Sequence, residues 1–225
     1  MEGMRFLRNM FGMIFIILLM LGWASGCRAQ PIDISLLTDD PCAAPCWHNI
    51  IPGVSDEEDV RTQLERSPFV KEGTLFRSVD ERGVHFVWKS TAGPWNRWFR
   101  EAENWLWLRD DKVVWIDLFV EYSLSLGEVV EKYGSPEGVS ISWHTADFIA
   151  LRVSLYYPRR GILFSVFEFL DEGGIERMKR GVALVSEDMK VNRVRYFVPD
   201  SIEGEQYMRI QEWRGFGEYK AKKAE

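Results

Sequence analysis

Cysteine and histidine are scarce, with three of each in 225 residues. Three cysteines cannot staple a small disulfide-built scaffold. The histidines, His48, His85 and His144, stand far apart in sequence, so none pairs with another at the spacing of a zinc site. An excess of basic charge is also missing. Against 28 Lys and Arg stand 34 Asp and Glu, a net charge of -6, which argues against a nucleic-acid partner. No Gly-x-Ser-x-Gly elbow and no glycine-rich phosphate loop after a strand is present; Gly134-Ser-Pro-Glu-Gly138 reads as a turn. Acidic pairs such as Asp110-Asp111 and Asp171-Glu172 fall at expected turns, where charge is solvated. No catalytic residue, metal ligand or cofactor is therefore expected. Plentiful carboxylates leave an envelope hydrolase, acting on cell-wall or exported material, as the alternative to a binding role.

What is present begins with an address. Arg5 and Arg8 precede a charge-free apolar run at 10–22, thirteen residues long. A spanning helix needs about 20 apolar residues, so the run reads as a secretory signal. Ala24-Ser-Gly-Cys27 follows, and it resembles the bacterial lipoprotein box, in which cleavage occurs just before a lipid-modified cysteine. That resemblance implies a signal peptide over 1–26 and Cys27 as the mature, acylated (palmitate-bearing) N-terminus. The expected location is then the outside of a bacterial cell membrane or the outer membrane, with the membrane itself a partner through the lipid. With Cys27 so used, Cys42 and Cys46 remain as an even pair, and export favours a disulfide between them.

The remainder reads as α+β: two helix-plus-antiparallel-sheet units in tandem. A polar tether is expected over 27–45, a first unit over 46–121, a second over 122–200, and a C-terminal helix and tail over 201–225. Ser55 and Glu58 form a capping box before Val60 and Leu64; Ser67-Pro68 ends that helix. The same grammar returns at Ser125 and Glu128, with Leu124 and Val129 placed as a hydrophobic staple and Gly134 and Pro136 as the stop. Strands are expected at 74–79, 84–88, 105–109 and 113–120, then at 139–144, 149–157, 162–169 and 191–198. Hairpin turns fall at Asp110-Asp111 and at 158–161. Helix followed by hairpins, rather than alternating βαβ, indicates an antiparallel sheet. The repeat is of roughly 70 residues.

Cys-Trp-His-Asn-Ile-Ile-Pro-Gly at 46–53 and Leu-Gly-Glu-Val-Val-Glu-Lys-Tyr-Gly-Ser-Pro at 126–136 resemble uncharacterised bacterial lipoproteins of a Pro-Cys-Trp…Pro-Gly type. The Tyr-Gly-x-Pro element is similar to the helix–sheet repeats of small outer-membrane-assembly lipoproteins (the BamE/SmpA type) and of the β-lactamase-inhibitor-like fold. The resemblance implies paired helices on an antiparallel sheet and a binding role.

Binding residues are sought where aromatic and arginine side chains cluster, because those types dominate interface hot spots. Trp95, Arg97, Trp98, Phe99 and Arg100 fall in one eight-residue stretch at 93–100, between expected strands. They form either a partner-binding edge, for an envelope protein or a glycan, or a lid over the first unit's core. Trp213, Phe216 and Tyr219 in the tail carry the same two readings.

Overall fold

Two capped helices are where the sequence puts them, one of them shifted by a residue. The computed structural model describes residues 30–99, 101–144, 149–201 and 210–223. The expected signal segment and Cys27 lie outside the described residues, as does the expected helix after Ser201. Helices α1 (Ser35–Thr38), α2 (Glu57–Arg66), α3 (Leu126–Tyr133) and α4 (Glu172–Lys179) are described. In α3 the box is the expected one: Ser125 Oγ accepts from Glu128 N–H, and Glu128 Oε2 accepts from Ser125 N–H at 2.7 Å. In α2 the cap is Asp56, not Ser55, with Asp59 as its reciprocal partner. The Ser55 hydroxyl is committed elsewhere: it is buried and accepts from Ile51 N–H at 3.0 Å, holding the turn before the helix. Asp is as good a cap as Ser, so the helix starts one residue later at no cost.

The strands are β1 (Phe76–Asp80), β2 (Gly83–Trp88), β3 (Asn104–Arg109), β4 (Lys112–Phe119), β5 (Gly138–His144), β6 (Ala150–Tyr157), β7 (Ile162–Phe169), β8 (Val182–Val185), β9 (Arg193–Phe197), β10 (Ile210–Gln211), β11 (Gly217–Lys220) and β12 (Lys222–Lys223). One large sheet runs β1-β2-β3-β4-β9-β7-β6-β5-β10, antiparallel throughout, with β12 added parallel to β5. Residues Ile32–Glu225 form one compact unit around it. Asp110 and Asp111 both take positive φ, 50° and 59°. That is the tight hairpin their position suggested.

Side chains alternate across a strand, and the two faces differ sharply. One face carries Phe86, Leu106, Ile116, Val194, Phe164, Val153 and Ile141, all buried. Val60 and Leu64 of α2, and Leu126, Val129 and Tyr133 of α3, belong to the same core. Each such aliphatic residue contributes about 1.5–3 kcal/mol on leaving water. The other face carries Trp105, Asp117 and Arg195 in one cross-strand row and Phe119, Arg193, Ser165 and Ser154 in the next.

The expected tether packs against the body from Asp33 onward. Leu36 of α1 is buried in the core. Asp33 N–H donates to Glu121 Oε2 at 2.8 Å, and Trp47 Nε1 donates to Asp33 Oδ2 at 2.7 Å. Lys132 Nζ donates to the Leu36 and Leu37 carbonyls, each at 2.8 Å. It thereby satisfies the open end of α1. One buried leucine, Ala44 packed beside the core and these polar contacts suffice to turn a linker-like segment into a brace. Cys42 and Cys46 are joined as a disulfide, their Cα atoms 5.7 Å apart. It leads directly into buried Trp47, which stacks on Trp88 at 5.5 Å.

The tail folds back. β11 pairs with β8 in a separate two-stranded ribbon, Tyr219 is buried, and Trp213 and Phe216 pack half-buried on the core. No helix among the described residues is long and apolar enough to cross a membrane.

Candidate functional site

The aromatic stretch is divided by its geometry. Gly93, at φ 75°, turns the chain out of the β2 direction, a conformation that glycine adopts without steric cost. Trp95 then points inward: it packs half-buried against the core, and its Nε1 donates to the Val191 carbonyl at 2.9 Å. Asn96 Oδ1 accepts from Trp98 N–H at 3.0 Å and sets up a single 3₁₀ turn, Arg97–Phe99, as short polar side chains commonly do. Phe99 covers the sheet, with ring centroids 5.5 Å from Phe119 and 6.0 Å from Phe167. Trp98 is 68% exposed, with its ring 5.4 Å from that of Phe169. Thus Trp95 follows the lid reading and Trp98 the surface reading, while Phe99 lies on the sheet face opposite the core. The Arg97 side chain and Arg100 lie outside the described residues.

Trp95, Asn96 and Trp98 line a groove of about 520 Å³. Its buried lining is apolar in Trp143, Leu151 and Val166, with one buried amide, Asn192, whose Oδ1 accepts from Phe167 N–H. Its polar lining comes from β7 and α4, in Glu168, Asp171 and Arg177, and from the segment after β8, in Asp188 and Lys190. Asp171 Oδ1 accepts from Gly174 N–H at 2.7 Å. This caps α4 and fixes the helix beside the groove. Burial pushes the Glu168 carboxyl up from its ordinary range, and the charge of Asp171 adds to that while Arg177 opposes it. The indole Nε1 of Trp143 is buried without a hydrogen-bond partner. The volume falls within the usual range for a small-molecule or side-chain pocket. Chemically the groove offers an apolar bed with charges of both signs at its margin, an arrangement for binding. Among the described residues, no group of three or more His, Cys, Asp or Glu is placed to hold a metal ion.

A second polar cluster sits on the sheet face opposite the helices. Asp117 of β4 is 1% exposed and is held by two arginines of β9. Arg193 Nη2 donates to Oδ2 at 2.7 Å, while Arg195 donates through Nε to Oδ1 at 2.9 Å and through Nη2 to Oδ2 at 2.5 Å. Arg195 lies over the Trp115 ring at 4.7 Å and Arg193 over Phe119 at 5.5 Å. Cation–π contacts thus hold the planes of both guanidiniums. Asp117 lies directly opposite Arg195 in register.

The sequence reading missed both the α4–β8 wall of the groove and this cluster. A signal for the second existed: Asp117 interrupts an apolar strand, and Arg193-Val-Arg195 places two cations on one strand face. No family model, no curated protein and no solved structure matches this chain.

Proposed function

We propose that the protein is a lipid-anchored binding or scaffold module of the bacterial cell envelope. Its membrane attachment is the acylated Cys27, following the Ala-Ser-Gly-Cys sequence that resembles a lipoprotein box. The Cys42–Cys46 disulfide suits an exported, oxidising location. One observation carries the binding reading: Trp98 stands 68% exposed at a groove of about 520 Å³. Exposed apolar surface beside a groove marks a place where something binds. The partner is an envelope protein or a glycan that covers this ring. In this reading the sheet is two tandem units, α2 with β1–β4 and α3 with β5, β6, β7 and β9, meeting where β4 pairs with β9. Tandem units sharing one sheet make a rigid platform on a tethered body.

Two measurements test it. Cys27→Ser should abolish acylation and either release the chain from the membrane fraction or leave it uncleaved; unchanged mass and unchanged partition would reject the anchor. Trp98→Ala should abolish capture of the envelope partner at unchanged folded content; undiminished capture would reject the groove.

A further inference from the structure

We infer that the sheet face opposite the helices holds a phosphoryl-binding site formed by Arg152, Arg193 and Arg195. The site adjoins the Trp98 groove through Phe167, which lines the groove and lies opposite Arg152 in register, but it does not depend on the binding reading of that groove.

The chain as a whole carries -6, yet these three guanidiniums share one carboxylate. Asp117 is the one acidic group among the described residues that acts on any of them. Asp117 is already committed to Arg193 and Arg195. Arg152, on β6, makes no ion pair or hydrogen bond among the described residues and is exposed. Partial desolvation, and then the cations Arg193 and Arg195, push its guanidinium below the ordinary arginine range. The cluster is thus two charges in excess, with its cations repelling one another.

Geometry makes the excess directional. Arg193 faces Ser165 of β7 in register, Ser165 faces Ser154 of β6, and Arg152 lies two residues along β6 from Ser154 on the same face. Neighbouring strands stand about 4.8 Å apart, so the stems of Arg193 and Arg152 are on the order of 10 Å apart. Two arginine side chains converge readily over that span. Between the stems lies the Ser154–Ser165 hydroxyl pair, 2.9 Å apart and buried. Asp117, Phe119 and Trp115 hold the planes of Arg193 and Arg195, leaving little rotamer freedom to lose on binding. Arg193 Nε is buried with no hydrogen-bond partner. A tetrahedral oxyanion fits what remains. It supplies about two negative charges and several acceptors, which guanidinium forks match in geometry. A lipid headgroup and a soluble phosphate ester or phosphate ion share that chemistry.

The test uses the full chain in neutral detergent at constant ionic strength, with potassium chloride as the balancing salt. Inorganic phosphate and, in a separate arm, short-chain dihexanoyl phosphatidic acid, a phosphomonoester lipid, are titrated by calorimetry. Saturable binding of at least one probe is expected. Arg152→Gln should weaken it about tenfold, the loss of one charge-assisted hydrogen bond. The same variant should unfold at an unchanged or higher temperature without ligand, because it relieves a like-charge contact. Arg66→Gln, an exposed arginine at the end of α2, should bind as the parent does. Tighter binding of phosphate identifies a soluble source, and tighter binding of the lipid identifies a headgroup. Absence of binding in both arms, or equal binding by the parent and Arg152→Gln, would overturn the inference.

Discussion

Asp117→Asn is the sharpest perturbation of this fold. The change keeps shape and volume but removes the charge that three hydrogen bonds from Arg193 and Arg195 converge on. It also turns one acceptor into a donor facing guanidinium N–H groups. Removing one member of a buried ion pair costs about 3–5 kcal/mol, because the surviving charge is left uncompensated. Here the survivors are partly wet: the Arg193 and Arg195 side chains are 33% and 23% exposed. Water can recover part of the loss, so about 2–3 kcal/mol is expected. For a domain of this size that corresponds to a fall of about 4–12 °C in Tm. Urea unfolding followed by tryptophan fluorescence measures it directly, with the midpoint falling at constant slope. The triple change Asp117→Leu with Arg193→Leu and Arg195→Leu should regain much of the loss, since a buried ion cluster replaced as a whole by apolar residues is often near neutral, whereas any double change leaves one arginine unpaired. A cost below about 0.5 kcal/mol, or strict additivity of Asp117→Leu and Arg195→Leu in a double-mutant cycle, would show that the pair is a surface contact and refute the argument.

Three further outcomes follow from the same structure. Trp98→Ala should cost at most about 2 kcal/mol, since only about a third of the ring is covered, whereas Trp95→Ala should cost about 2–4 kcal/mol through lost packing and its bond to Val191; equal costs in chemical unfolding would reject the division of the stretch. Gly83→Ala should destabilise by more than about 2 kcal/mol, because φ is 139° and a Cβ would sit 2.1 Å from the Leu108 carbonyl oxygen; a parent-like Tm would contradict this. Burial works against the Asp33 carboxylate, but hydrogen bonds from His48 and Ser35 prevail and hold its pKa below the ordinary value. Its contribution is therefore full above about pH 4 and lost as pH falls through the lower folded value. Asp33→Asn should destabilise at pH 6 and converge with the parent toward pH 2, and a gap that stays constant across that range would contradict the assignment.

Local chemistry explains why so much of the secondary structure was legible. Alternation in 150–157 and the positive-φ pair Asp110-Asp111 are decided within a few residues, so β6 and the β3–β4 turn follow from the sequence with little help from elsewhere. Helix α4 shows the opposite case. Its Glu-Gly-Gly-Ile-Glu-Arg-Met-Lys has two adjacent glycines and only Ile175 and Met178 as large apolar residues, so no helical stripe announces it. The Asp171 cap and the ribbon of β8 with β11 hold it in place, and that ribbon pairs residues more than thirty positions apart. Leu36 is a similar case: of the neighbouring Ile32, Ile34, Leu36 and Leu37 it alone is buried, and that depends on Tyr133 and Lys132 lying under α1.

The candidate sites depend on longer separations still. Composition alone joined Trp95, Trp98 and Phe99, but a stretch carrying a 3₁₀ turn must point its rings in different directions, and three neighbouring aromatics cannot share one role. Trp95 finds its acceptor at Val191, 96 positions on. Asp117 meets Arg193 and Arg195 at separations of 76 and 78. Strand parity alone would put the two arginines on one face, and the apolar neighbours of Asp117 would mark it as needing a cation. Joining them required knowing that β9 docks against β4 rather than against β8, its predecessor in sequence. That choice follows from the sheet itself: β8 is taken by β11, whereas β4 and β7 each leave one edge for β9 to close. Once β9 fills that gap, the register that places Val194 and Tyr196 in the core necessarily turns Arg193 and Arg195 toward Asp117. The charge cluster is in this sense a consequence of core burial, and its excess of two cations is the part that core burial does not explain.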